Sequence, residues 1–304
     1  MKTTRYHLIA LLVVVIWGTT LVATKSLLGS GMSPRDILFF RFLMAYVCIW
    51  FFGKQKLFAN NVKDELLLVL LGITGGSLYF LLSNAALEFT QASNVALLGC
   101  IAPILTIFLS RIFLKDEQLS RYTWFGSLLA LIGVAFVVFN GHFSLEINPL
   151  GDMLGLLSAL SWAIYIILLK RLGNRYDTLF ITRKVFFYGV LTVVPLFLIP
   201  VETDLWLFAP LEIDWGLLSQ PVVWGSLLYL GILASLCCFF LWNVAVKKLG
   251  TVRTSNYIYL SPLVTMIVAW LVMGEVITLT KVIGSVFILA GVALAERSNK
   301  IRQK

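Results

Sequence analysis

The chain has 304 residues, of which 60% are hydrophobic and 13% charged, with a formal net charge of +9. Charged residues are about half as frequent as in an ordinary soluble domain, which excludes a water-soluble fold. The basic excess follows membrane sidedness, as shown below, and so does not signal nucleic-acid binding.

A hydrocarbon core ~30 Å thick needs about 20 apolar residues per helix. Ten such stretches are predicted, at 8–28, 35–53, 66–88, 92–114, 122–140, 152–171, 180–200, 222–246, 250–273 and 279–296. Continuous runs such as Leu66 to Leu71 exclude the alternation of a membrane β-barrel.

The first span carries Trp17, Gly18 and Lys25. Met1 to Ala23 has the outline of a secretory signal, but Trp17 and Lys25 recur as Trp162 and Lys170 at a constant offset of 145, which marks a retained span. The second span holds Arg41 six residues inside its start, or about 9 Å at the helical rise. Its local counterpart is Arg183 in the seventh. The third span contributes Tyr79 and Asn84 and ends near Glu88. The fourth has Gly99 and Pro103, with Glu117 just beyond it, and the fifth has Gly126 and Gly133.

The polar stretch Gly141 to Gly151 then leads into a second copy. Asn84 and Pro103 recur as Asn243 and Pro262 at offset 159, and Glu117, Gly126 and Gly133 as Glu275, Gly284 and Gly291 at offset 158. The two copies are read as residues 5–141 and 150–297. Five spans per copy set them upside down relative to each other. Inverted repeats of this kind recur in secondary transporters, with the substrate site near the midplane between copies. The fold expected is therefore all-α and polytopic, with ten transmembrane helices as two inverted five-helix repeats.

Charge placement tests that topology. With a cytoplasmic amino terminus, cytoplasmic segments and helix ends carry 20 of the 24 Lys and Arg residues. The four left over are Lys25, Arg35, Arg41 and Lys281. The longest outer connection, Val201 to Gln220, has Glu202, Asp204, Glu212 and Asp214 and no Lys or Arg. The positive-inside rule then places both termini in the cytoplasm. Cys48, Cys100, Cys237 and Cys238 all fall within spans without metal-type spacing and read as packing residues.

The segments around Asn84, Pro103, Glu117, Gly126 and Gly133, their second-copy counterparts, and the Trp17-Gly18 pair resemble the EamA domain of the drug/metabolite transporter superfamily. The resemblance spans both copies. It implies a ten-helix bacterial inner-membrane carrier, often an exporter of amino acids or related metabolites, without naming a substrate.

Glycines seven apart lie on one helix face and suit close packing. Pro103 and Pro262 remove a backbone donor in mid-span, where the result is either a fixed kink or a hinge lining a cavity. Glu117 and Glu275 favour helix starts. Lys25, Lys170 and Arg183 either snorkel to an interface or gate, and Arg41, the deepest, either snorkels or pairs with an anionic group on a substrate. Asn84 and Asn243 either bond between helices or face a central cavity. Trp17, Tyr79, Trp162, Tyr165, Tyr257 and Tyr259 supply aromatic walls for it, whereas Trp124, Trp206, Trp215 and Trp224 read as interfacial belt residues.

The substrate-binding set is accordingly Trp17, Arg41, Tyr79, Asn84, Trp162, Tyr165, Asn243 and Tyr257, with Lys25, Pro103, Lys170 and Pro262 as hinge or gate. The copies differ at Glu88 against Lys247 and at Gly99 against Ile258, where substrate choice is expected. No carboxylate lies mid-span, and the two histidines, His7 and His142, lie near span ends, which argues against proton-coupled cation export. No catalytic residue, metal or cofactor is expected.

The function expected is a secondary transporter exporting a small metabolite such as an amino acid or related zwitterion by alternating access. Other solutes (a drug-like cation, a nucleotide sugar or a sugar phosphate) remain alternatives, as do, less strongly, a channel or an intramembrane enzyme. The expected partners are the substrate and the bilayer, with the protein a monomer or homodimer.

Overall fold

A computed structural model describes residues 4–52, 56–90, 92–114, 120–139, 148–198, 216, 220–273 and 276–301. Among these residues there are ten helical rods and no strand. We label them α1 (Thr4–Gly29), α2 (Pro34–Ile49), α3 (Val62–Gly72, continuing through Ile73–Leu78 and Tyr79–Phe89), α4 (Ala92–Gly99 and Ala102–Phe113) and α5 (Arg121–Phe139). The second copy supplies α6 (Pro149–Leu172), α7 (Thr178–Leu198), α8 (Pro221–Leu228, Tyr229–Cys237 and Cys238–Leu249), α9 (Thr251–Asn256, Tyr257–Leu260 and Ser261–Met273) and α10 (Leu279–Ile301).

On their described residues alone, α3 to α8 are long and apolar enough to cross a bilayer, and shorter apolar helical stretches lie in α1 and α10. The chain is an all-α polytopic membrane protein built as two inverted five-helix repeats.

Local chemistry sets the rod ends. Ser33, Asn61 and Asn148 cap α2, α3 and α6 by accepting backbone N–H bonds, and Asp36, Asp64, Glu65 and Asp152 lie in the first turns, where the helix dipole favours an anion. Lys170 and Arg171 occupy the last turn of α6, and Lys247 and Lys248 that of α8. Gly250, at φ 95°, makes the tight reversal into α9 that a side chain would resist.

Two departures from regular helix occur at repeat-matched places. Ile73–Leu78 in α3 and Tyr229–Cys237 in α8 are π-helical, and the first shifted by 159 falls at 232–237, inside the second. Widened π turns interrupt the ordinary hydrogen-bond ladder and often mark functional positions. Likewise α4 breaks at Cys100 and Ile101, just before Pro103, and α9 tightens to a 3₁₀ turn over Tyr257–Leu260, just before Pro262. Each proline stands in the first turn of a new helical segment, where its missing N–H costs nothing.

The inversion is visible where α5 meets α10. A Cβ on Gly126 would lie 2.5 Å from the Gly291 carbonyl oxygen, and one on Gly291 would lie 2.5 Å from that of Gly126. Gly133 and Gly284 show the same reciprocity at 2.6 Å. Early glycine thus meets late glycine, so the mates run antiparallel with their backbones in close contact. Gly18 does similar work at the α1–α9 contact, where a Cβ would lie 2.7 Å from the Val264 side chain.

Candidate substrate-binding cavity

A cavity of about 200 Å³ lies where α1, α2, α3 and α4 of the first copy meet α6, α8 and α9 of the second. Four repeat-matched pairs line it: Trp17 with Trp162, Phe80 with Phe239, Gly99 with Ile258, and Ala102 with Ser261. The first pair is 145 apart and the other three 159 apart, so the cavity straddles the axis relating the copies. Val14, Thr20, Arg41 and Tyr79 complete the wall, and their mates do not line it.

The wall is largely aromatic. Trp17 and Trp162 meet edge to face with centroids 5.6 Å apart, Phe239 lies 5.8 Å from Trp17, and Tyr79 lies 5.1 Å from Trp162. Such contacts hold each ring in one orientation. Trp17 is fixed further by an Nε1–H bond of 2.9 Å to the Ala234 carbonyl in the π segment of α8.

Arg41 supplies the charge. It stands seven residues into α2 and is 8% exposed. Its Nε donates to Ser235 Oγ at 2.9 Å, and the guanidinium carbon lies 4.8 Å from the Phe80 ring centroid. The two terminal nitrogens receive no hydrogen-bond acceptor, and no carboxylate pairs with Arg41, among the described residues. A cation at membrane depth calls for an anionic or carbonyl partner, and here Arg41 lines the cavity.

Of the expected binding residues, Trp17, Arg41, Tyr79 and Trp162 are therefore brought together. Tyr165 and Asn243 are instead fully buried beside the cavity: Tyr165 OH donates to Asn243 Oδ1 at 2.5 Å, and Asn243 Nδ2 donates to Thr182 Oγ1 at 3.1 Å. Asn84 is half-buried, off the wall, and its side chain makes no hydrogen bond among the described residues. Tyr257 also stands off the wall, where its hydroxyl bonds His7 Nδ1 at 2.8 Å. Pro103 is buried and Pro262 half-buried beside the helix breaks. Lys170 lies at the end of α6, away from the cavity. The side chains of Lys25 and Glu88, and all of Glu117 and Glu275, lie outside the described residues. Gly99 and Ile258, expected to mark a difference between copies, both line the cavity.

Phe80, Phe239, Thr20 and Ser261 were not anticipated. Adding the offset of 159 to the neighbour of Tyr79 leads directly to Phe239, but one aromatic within an apolar run has no composition that separates a cavity wall from a lipid-facing surface.

One end of the bundle carries a polar network beyond Tyr165 and Asn243. Asp64 pairs with Arg175 and accepts from Tyr176 OH at 2.9 Å. Glu65 pairs with Lys184, accepts from Tyr188 OH, and takes the Ala59 N–H at 2.5 Å. Lys247 Nζ reaches the Tyr176 carbonyl at 2.9 Å. Lys247 thereby ties α8 to the connection between α6 and α7, while the two carboxylates tie α3 to that connection and to α7.

Comparison with known proteins agrees with this architecture. The model of the EamA-like transporter family matches residues 4–139 and again 149–296. An uncharacterized transporter of Archaeoglobus fulgidus is 26% identical over 95% of this chain and 96% of its own. A probable amino-acid metabolite efflux pump of Salmonella typhimurium is 28% identical over 97% of this chain and 96% of its own. A protein crystal structure superposes with a TM-score of 0.75 at 19% identity, covering 99% of both chains, and shares the fold. The chain belongs to the EamA-like transporter family.

Proposed function

We propose that this transporter carries a small carboxylate-bearing metabolite, an amino acid or related zwitterion, outward across the bacterial inner membrane by alternating access, with both termini cytoplasmic. The observation that carries the reading is Arg41: a buried guanidinium with two unengaged nitrogens on the wall of an aromatic cavity at the interface of the copies. Guanidinium recognises carboxylate through paired N–H bonds, and the faces of Trp17, Trp162 and Phe239 suit an ammonium group or an apolar side chain. The amino-acid efflux named for the Salmonella relative supports the same class.

Size and charge argue against the alternatives. At about 200 Å³ the cavity is smaller than the ~300–1,000 Å³ typical for drug-sized ligands, and among the described residues no carboxylate lines it to hold a cation. Thermal unfolding of the purified protein against amino acids, nucleosides and sugar phosphates tests the assignment. An amino acid should raise the apparent melting temperature, and Arg41→Ala should weaken that ligand at least tenfold, since an unreplaced charge-assisted pair is worth roughly 1.5–3 kcal/mol. Stabilisation by sugar phosphates or cations alone, or undiminished binding in Arg41→Ala, would count against the assignment.

A further inference from the structure

The two cavity tryptophans occupy matched positions yet differ in their hydrogen bonding. Trp17 Nε1 donates to the Ala234 carbonyl in the π segment of α8. Trp162 Nε1 is buried without a partner among the described residues. The acceptor equivalent to Ala234 is Gly75 (234 − 159), in the π segment of α3. In this structure the Tyr165 ring lies against Gly75, with its Cγ 2.5 Å from where a Cβ would stand. The Tyr165 hydroxyl meanwhile is held by Asn243. The matched residues on the other side, Thr20 and Asn84, are not joined: the Thr20 hydroxyl donates back to the Trp17 carbonyl at 2.7 Å, and the Asn84 side chain has no hydrogen bond among the described residues.

We infer that Trp17 and Trp162 form a reciprocal switch, each indole docking on the other copy's π segment in one of the carrier's two states. An inverted repeat makes the second state available by exchange of the copies' conformations. Under that exchange the bond from Trp17 to Ala234 becomes a bond from Trp162 to Gly75, Tyr165 leaves Asn243, and Trp17 is released. A buried indole N–H without an acceptor is costly. In either state the released one belongs to a residue on the cavity wall; it is covered in this structure, and an acceptor oxygen of the cargo satisfies it beside Arg41 once the ring turns toward the cavity. The π segments suit this role, because their widened turns leave carbonyls outside the regular ladder. Their acceptors need only small movements to be taken up or given away.

The switch rests on the carrier reading above and implies opposite effects for two conservative changes. Trp162→Phe removes no hydrogen bond from the present state, where the indole N–H is unbonded, and removes one from the other, while the loss of ring volume is common to both. Trp17→Phe does the reverse. Ser261→Cys on the cavity wall, in a chain with Cys48, Cys100, Cys237 and Cys238 replaced by Ala, reports the state through labelling by a membrane-impermeant maleimide. Labelling is carried out in oriented vesicles of both senses without substrate, with amino-acid counterflow measured on the same preparations.

Access from the Asn243 end should fall by roughly three- to tenfold in Trp162→Phe and rise by a similar factor in Trp17→Phe, as one hydrogen bond allows. Tyr165→Phe should raise it as well, by unfastening Asn243. Shifts of the same sign in both tryptophan variants, or no shift in variants that remain monodisperse, would overturn the switch while counterflow leaves the carrier reading standing. A parent labelled from one side only and lacking counterflow would overturn both.

Discussion

A guanidinium at membrane depth is stable only if something answers its charge. Arg41 has Ser235 on one nitrogen and the Phe80 ring beside it, its terminal nitrogens have no acceptor among the described residues, and the residue lines the cavity. The neighbouring residues set the size of what can enter. A Cβ on Gly99 would meet nothing within 4 Å, so a side chain there projects into free space, whereas its mate Ile258 already fills the equivalent volume. Ile258→Ala should therefore raise the kcat/KM ratio for bulky over small substrates by about tenfold, the scale of a few methylenes in an apolar pocket. Gly99→Leu should lower that ratio without unfolding the protein. Competition assays with amino acids of graded side-chain size in the two variants check this, and equal profiles would mean that the pair does not bound the site.

At the scale of elements, the antiparallel contact between α5 and α10 depends on four glycines. Gly133→Val places a side chain against the Gly284 carbonyl, where a single Cβ already lies at 2.6 Å. Overpacking of this kind costs about 1–3 kcal/mol. The apparent melting temperature should fall, while Gly225→Ala, which meets open space, should leave it unchanged. These glycines were legible in the sequence because their spacing of seven recurs in both copies, and the spans were legible because lipid requires long apolar runs. The π segments were not, since Ile73–Leu78 has no periodicity that distinguishes a widened turn from a regular one. Nor could composition show that Tyr165 and Asn243 bond to each other rather than face the cavity. That pairing depends on the position of α6 relative to α8.

At the scale of the whole molecule, the two ends are unequal. The network of Asp64 and Glu65 with Arg175, Tyr176, Lys184 and Tyr188 fastens α3 to the second copy at the end where Tyr165 meets Asn243. At the opposite end α3 meets the second copy through Thr90 Oγ1, which donates to Asp152 Oδ1 at 3.0 Å, while Thr20 and Asn84 are not joined to each other among the described residues. A pseudo-symmetric bundle tied together by that network, around a cavity lined by matched residues, suits the alternating-access reading proposed above. The most direct test is counterflow in proteoliposomes preloaded with unlabelled amino acid. Saturable, transient uptake of the labelled amino acid, lost in Arg41→Ala, is the expected result. Unsaturable flux, or counterflow that Arg41→Ala leaves intact, would contradict it.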